Sequence, residues 1–223
     1  GAGILTTICS ICYSTLWRAN DKYKADPSFT HRVNFFMDEE PDYKCTVEVV
    51  HFLRLIKDKV GFDRVNELVR FRLDGLKVAC FYGCQLLRPR ELAIDDIEHP
   101  TILEDFVASI GGVPVDFAEK IECCGNYETI AEPQVVANRV YSIISSARKS
   151  GAELILTSCP LCHFNIDKSQ VLLRETIAGF KPIPIMYFTE LALYCIKGEY
   201  AESSFAQNLI DPHPSLSRMR TKE

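Results

Sequence analysis

Long apolar runs are missing from this chain, and so is any surplus of positive charge. No apolar stretch approaches the roughly 20 residues that a helix needs to cross a bilayer, so no membrane span is expected. Lys and Arg total 25 against 30 Asp and Glu, for a net charge of −5 and an isoelectric point near 5.6. A nucleic-acid binder would need a basic face, so no nucleic-acid partner is expected. No P-loop, Gly-rich dinucleotide fingerprint or Ser–His–Asp set stands out. The opening GAGILTTICS has neither a basic n-region nor a cleavage-type spacing, so no signal peptide is expected and the cytoplasm is the expected compartment. With 47% hydrophobic and 25% charged residues, the remaining composition is that of a soluble globular protein.

What the chain has instead is cysteine, ten in 223 residues. Five fall in one stretch, as Gly83-Cys84, Cys123-Cys124-Gly125 and Cys159-Pro160-Leu161-Cys162. Between them lie 38 residues (Cys84 to Cys123) and 34 residues (Cys124 to Cys159). Secreted disulfide scaffolds are usually much smaller, and in a reducing compartment clustered cysteines mean metal or redox chemistry. Thiolates are soft ligands suited to zinc, copper(I) or iron–sulfur clusters.

Structural zinc takes four ligands, commonly as paired CxxC knuckles ~15–20 residues apart. Here the gaps are longer, the candidates are five, and the adjacent Cys123-Cys124 is awkward around one tetrahedral ion; a zinc-held, partner-binding scaffold stays as an alternative. Cys159 to His163 also spells C-x-x-C-H, the c-type haem attachment pattern, which normally follows export. A thioredoxin-type reading explains one CxxC and leaves Cys84, Cys123 and Cys124 idle. Iron–sulfur ligation uses all five. Simple cubanes take four cysteines, so a fifth implies an unusual cluster or a position that opens during turnover.

The chain also resembles itself. Residues 1–12 align without gaps on 151–162, with Gly, Ala, Thr and both CxxC cysteines identical, so Cys9 and Cys12 match Cys159 and Cys162. Tyr13 then stands where His163 does, and Trp17 where Asp167 does. Residues 47–53 match 183–189 in the same order, which points to an internal duplication. Counterparts of Cys84 and Cys123 in the first copy would precede residue 1. The expected organisation is therefore 1–74, the back part of a first repeat; 75–197, a complete second repeat; and 198–223, a polar, solvated tail with a basic end at Arg218, Arg220 and Lys222.

Within the complete repeat, strands are predicted at 76–81, 113–117, 153–157 and 183–187. Helices are predicted from 101 to 110, ending at Gly111-Gly112, from 133 to 150, after Pro160, and through Ile196. This alternation favours an α/β fold with a mostly parallel sheet flanked by helices. The cysteines then fall at the carboxyl ends of strands, where open α/β sheets place their ligands. The helix after Cys159 would turn its free N–H groups toward an anionic cluster.

The pattern Cys-x38-Cys-Cys-Gly-x33-Cys-x2-Cys resembles the cysteine-rich CCG domain, and Phe81-Tyr82-Gly83-Cys84-Gln85-Leu86-Leu87-Arg88-Pro89 resembles the heterodisulfide reductase B-subunit family. Asp95-Asp96, His99-Pro100 and Cys159–His163 add to the match, which covers most of residues 1–196. The resemblance implies duplicated CCG domains, the first incomplete here, each binding a noncubane [4Fe-4S] cluster through five cysteines. It implies a catalytic subunit that reductively cleaves a mixed disulfide, in methanogenesis the one joining coenzymes M and B. Electrons would come from a ferredoxin-like iron–sulfur subunit fed by a flavoprotein subunit. Carried over, Cys84, Cys123, Cys124, Cys159 and Cys162 are ligand and catalytic positions. Cys9 and Cys12 match only the closing CxxC of a second site, which would need further ligands. CCG domains also resemble electron-transfer modules of lactate, glycolate and succinate oxidation complexes, a second reading without catalysis.

Other residues carry plainer expectations. Cys80, Cys45 and Cys195 are expected to pack as small hydrophobes. His163 is expected either to bond cluster sulfur or to serve structure. Arg88 and Arg90 either steer an anionic substrate or form a solvated pair at a helix start. Trp17 is expected to pack in a core or against a partner.

Overall fold

The computed structural model describes residues 3–198, 203–217 and 220–221. Gly1 and Ala2, which open the repeat alignment, and Arg218 and Lys222 of the expected basic end lie outside them. Elements in the first part are β1 (Ile4–Thr7), α1 (Ser10–Ala25), α2 (Pro27–Phe36), β2 (Glu48–His51), α3 (Phe52–Leu55), a π-helical turn at Ile56–Val60, α4 (Phe62–Leu68) and β3 (Phe71–Arg72). There follow β4 (Lys77–Phe81), a 3-10 turn at Arg90–Leu92, α5 (Ile102–Ser109), β5 (Val113–Val115), α6 (Pro133–Lys149), β6 (Leu154–Thr157), α7 (Pro160–Thr176), β7 (Ile185–Tyr187), α8 (Phe188–Lys197), α9 (His213–Leu216) and β8 (Arg220–Thr221).

The predicted alternation stands, and with it the α/β class. Four strands form a parallel sheet in the order β5-β4-β6-β7. β1 and β2 form a second parallel pair, and β3 and β8 an antiparallel one. Strand β6 is central and buried along its whole length, as its unbroken apolar run requires. Helix α6 begins at Pro133, which has no N–H to lose at a first helical position. It lays Val136, Val140, Ile143, Ile144 and Ala147 against the sheet, all buried. At roughly 1.5–3 kcal/mol for each fully buried aliphatic side chain, this face holds the helix in place.

Register ties the two similar stretches together. In the first pair Leu5, Thr6 and Thr7 stand opposite Val49, Val50 and His51. In the second, Ile155, Leu156 and Thr157 stand opposite Ile185, Met186 and Tyr187. Each first-strand residue matches its counterpart in the sequence alignment, and so does each partner. Each second strand runs directly into a helix, α3 in one unit and α8 in the other.

Two expectations are corrected. The tail is not wholly solvated: Phe205, Ile210 and Leu216 are buried, and Asp167 accepts N–H bonds from Leu209 and Ile210 at 2.6 and 3.0 Å. Averaged polarity hid a few widely spaced apolar anchors. Cys45 is not a core hydrophobe; it is partly exposed at φ +53°, and its thiol bonds Asn20 Oδ1 at 2.7 Å. Cys80 and Cys195 are buried as expected, and Trp17 packs partly buried against the main core.

Candidate metal centre

Three loops leaving the carboxyl ends of β4, β5 and β6 bring the five cysteines together. Cys84, Cys123, Cys124, Cys159 and Cys162 line one small cavity, with Ile11, Gln85, Asn126, Tyr127 and Leu161. Cys84 and Cys123 have their sulfurs 3.9 Å apart. Cys162 sits beside Cys124 and Cys159 and shifts the ionisation of both. All ten cysteines are free thiols.

The loops are held by named bonds. Gly83 has φ +67°, and a Cβ there would sit 3.0 Å from Cys162 Sγ, so only glycine lets this backbone pass the sulfur. Tyr82 and Gly83 both donate N–H to the Lys120 carbonyl, tying the first cysteine loop to the second. Below them the Tyr82 hydroxyl bonds Glu104 and accepts from Leu103 N–H, and Lys120 pairs with Glu104 and Asp116. Arg139 Nε donates to the Cys123 carbonyl at 3.1 Å, and Asn165 Nδ2 to the Cys124 carbonyl at 2.6 Å. Cys159 caps α7, its N–H donating to Thr157 Oγ1 at 3.4 Å; Cys9 caps α1 in the same way through Thr7, at 3.3 Å.

Electrostatics divide the sulfurs. Cys159 is pulled down to about 7, first by the Cys162 thiol and then by the N–H groups of Cys162, Leu161 and Ile11. Cys124 is lowered, chiefly by the same thiol. Burial pushes Cys84 up to about 12, with Cys123 adding to it. Cys162 is raised well above the usual thiol range by these two neighbours, Cys124 first. Among the described residues no Lys or Arg lines the cavity. Five sulfurs converge with no protein cation to balance them, so only some can ionise, unless a cation of higher charge sits among them. Among the described residues no three metal-ligating side chains are grouped closely enough to hold a single metal ion, so it is the chemistry of the donor set, five thiols on one cavity, that fits a soft, multiply charged centre.

Cys9 and Cys12 lie apart from this cavity. Cys12 N–H donates to Cys9 Sγ at 3.2 Å, and burial raises Cys9 to about 11. Among the described residues, no further cysteine joins them in a cavity. His163 does not line the five-cysteine cavity; its Nε2 is buried without a hydrogen-bond partner, 3.8 Å from Glu190, and its ring is edge-on to Tyr187. Arg88 and Arg90 are exposed; Arg90 begins a 3-10 turn rather than an α-helix. Sequence reasoning missed Tyr82, Lys120, Arg139, Asn165 and Tyr187. Of these Tyr82 stood in the Phe81–Pro89 stretch, Asn165 one helical turn after Cys162 and Tyr187 in the repeated segment 183–189; Lys120 and Arg139 carried no local signal.

This geometry defines a cysteine-rich domain, and comparison bears it out: residues 78–167 match the CCG family, described as a cysteine-rich domain. The B subunit of the ferredoxin/F(420)H(2)-dependent CoB-CoM heterodisulfide reductase of Methanosarcina acetivorans is 28% identical over 96% of this chain and 73% of its own length. The B subunit of a ferredoxin:CoB-CoM heterodisulfide reductase of Methanosarcina mazei is 28% identical over 83% of this chain and 63% of its own. The 8-methylmenaquinol:fumarate reductase membrane anchor subunit of Wolinella succinogenes is 30% identical over 93% and 72%. The chain belongs to the heterodisulfide reductase B-subunit family of cysteine-rich-domain proteins, a family of reductase-complex subunits. At the level of fold alone, it also matches the crystal structure of a hypothetical protein from Helicobacter pylori. That match has a TM-score of 0.64 and 10% identity, over 95% of this chain and 36% of the other. Among the described residues no helix is long and apolar enough to cross a membrane.

Proposed function

We propose that this chain is the catalytic iron–sulfur subunit of a heterodisulfide-type reductase, with Cys84, Cys123, Cys124, Cys159 and Cys162 holding one noncubane [4Fe-4S] cluster. The observation that carries this is the convergence of five free thiols on one cavity without a protein counter-charge. A bound cluster would supply reversible one-electron transfer. The chain's own residues fix the sulfurs: Gly83 admits Cys84, Asn165 and Arg139 hold the Cys123-Cys124 backbone, and the α7 N-terminus turns N–H groups to Cys159. Electrons would come from a ferredoxin-like subunit fed by a flavoprotein subunit, and the substrate class is a mixed disulfide. The cytoplasm suits ten unpaired thiols.

The matching registers support a duplicated CCG unit. A further strand beside β1, which among the described residues pairs with β2 alone, and a helix on α1 would complete the first copy and add ligands beside Cys9 and Cys12. The fumarate reductase relative favours a second reading, an electron-transfer subunit that cleaves nothing itself.

The test is iron and sulfide analysis of anaerobically reconstituted protein. The wild type should hold about four irons. Ser at Cys84, Cys123, Cys124, Cys159 or Cys162 should abolish or break down the cluster, whereas Cys9→Ser, Cys12→Ser, Cys45→Ser and Cys195→Ser should leave iron intact. Zinc without iron or sulfide would sink both redox readings in favour of a zinc-held scaffold. Electron uptake without disulfide cleavage by the assembled complex would select the second reading over the first.

A further inference from the structure

The two CxxC turns meet back to back. Ser10 N–H donates to the Ser158 carbonyl at 3.2 Å. The Ser10 hydroxyl lies 2.9 Å from that oxygen and 3.0 Å from the Ser158 hydroxyl. Both serines are fully buried, so water does not compete for these bonds. Ile8 and Ser158 occupy equivalent places before their cysteines, and the Tyr187 hydroxyl bonds the carbonyls of both. Tyr187 thus pins one turn to the other.

The next residue crosses between the units. Ile11 lies inside the first CxxC, yet its side chain lines the cavity of the five cysteines and its N–H faces the Cys159 sulfur. It is partly exposed and so stands between that cavity and solvent. We propose that the Ser10–Ile11 turn, pinned by Tyr187, is a positioning element of the five-cysteine site: Ile11 walls the cavity, and the Ser10 bonds to Ser158 seat the turn so that the Ile11 N–H faces Cys159. Cys9 and Cys12 flank this turn, so the first CxxC serves the second site whether or not it binds metal itself. N–H groups directed at ligand sulfur favour the more negative, reduced state and so raise a reduction potential. That electronic part rests on the metal-centre reading above; the wall does not.

The variants are Ile11→Ala, the conservative Ile11→Val, Tyr187→Phe and Ser10→Pro. Proline already occupies the equivalent position 160 at the start of α7, so Ser10→Pro keeps a valid helix start while deleting the N–H and hydroxyl; Ser10→Ala deletes the hydroxyl alone. The first readout is the alkylation rate of each cysteine in the metal-free full chain, followed by mass spectrometry. Ile11→Ala should speed labelling of Cys124, Cys159 and Cys162 several-fold, Ile11→Val should restore the slow rate, and buried Cys80 and Cys195 should stay protected in all. Tyr187→Phe, which unpins the turn, should speed the same three cysteines by less than Ile11→Ala does. The second readout is the midpoint potential of the anaerobically loaded chain, which should fall in Ser10→Pro, where loss of the Ser10 N–H and hydroxyl bonds to Ser158 lets the Ile11 N–H withdraw from Cys159, and less in Ser10→Ala, which keeps the N–H bond. Unchanged labelling in Ile11→Ala, or a parallel rise at Cys80, would overturn the proposed wall. An unmoved potential in Ser10→Pro would overturn the electronic role. A wild type that takes up no iron fails the metal-centre reading instead, and labelling then decides the wall alone.

Discussion

The β1–α1–β2 unit and the β6–α7–β7 unit have the same local plan and very different surroundings. Both set a CxxC across a strand end and a helix start, and both pair their strands in the same register. Yet β6 lies between β4 and β7, while among the described residues β1 has β2 alone beside it. Leu154, Ile155 and Ile166 are 0% exposed; their counterparts Ile4, Leu5 and Leu16 are 40%, 44% and 39% exposed. Strand and helix therefore form from local pattern, whereas burial comes from neighbours that only one unit has. The five-thiol cavity follows the neighbours too, because its other cysteines arrive on the loops after β4 and β5.

Truncation should reveal this contrast most strongly. Leu154→Ala should cost ~2–5 kcal/mol of unfolding free energy, the usual range for a buried leucine that leaves a cavity. Ile4→Ala should cost less than about 1 kcal/mol, as at an exposed site. Denaturant midpoints of the two variants measure the difference. Equal losses would mean that another surface covers β1 in solution and that the two units are alike in burial after all.

A second contrast lies at the ends of β2 and β7, where His51 and Tyr187 occupy equivalent places. Tyr187 satisfies its hydroxyl, but His51 is buried with Nδ1 accepting from Leu53 N–H at 3.3 Å and Nε2 unbonded. Burial pulls its pKa down to about 4 from 6.5. The folded state thus prefers the neutral ring. This preference costs nothing above pH 6.5, and stability is lost as pH falls from there toward 4, by about 3 kcal/mol in all. His51→Asn keeps a capping acceptor for Leu53 and does not titrate. Wild type should therefore lose that much more stability than the variant between pH 7 and pH 4. A difference that stays flat across this window would show that His51 charges freely in the fold.

Much of the site was legible because thiolate chemistry leaves few options. Cysteines at the carboxyl ends of neighbouring parallel strands come near one another, and these five line one cavity. The strand order β5-β4-β6-β7 was not legible, since crossovers of similar length permit several orders. Nor were the roles of Lys120 and Arg139, which meet backbone groups and carboxylates of other segments rather than completing a motif. Cys45 misled because buried cysteine is the common case, while its φ of +53° belongs to a turn that composition does not reveal. The tail misled for the opposite reason: its polar average masked Phe205, Ile210 and Leu216.

The tail supplies the smallest of the three contrasts. Asp167 and Trp17 are equivalent positions on α7 and α1, yet they do different jobs. Trp17 packs on the main core, whereas Asp167 accepts the N–H groups of Leu209 and Ile210 and so fastens residues 203–217 to the second unit. Asn208 helps by donating to the Ile185 carbonyl at 3.0 Å, and Ser215 by donating to the Glu153 carbonyl at 3.0 Å. Asp167→Ala would leave two N–H groups without their acceptor, one of them on buried Ile210. A cost of about 1–3 kcal/mol follows for an unmet buried group, offset in part where water reaches Leu209, which is exposed. The loss should be local, because neither of the two bonds to Asp167 involves the sheet or the cysteine loops. Limited proteolysis should cut Asp167→Ala first between residues 203 and 210 and leave the remaining chain intact, while iron content after reconstitution stays at the wild-type level. Trp17→Ala should instead lower overall stability without exposing the tail. If Asp167→Ala resists protease as wild type does, the apolar anchors hold the segment by themselves and the carboxylate is dispensable.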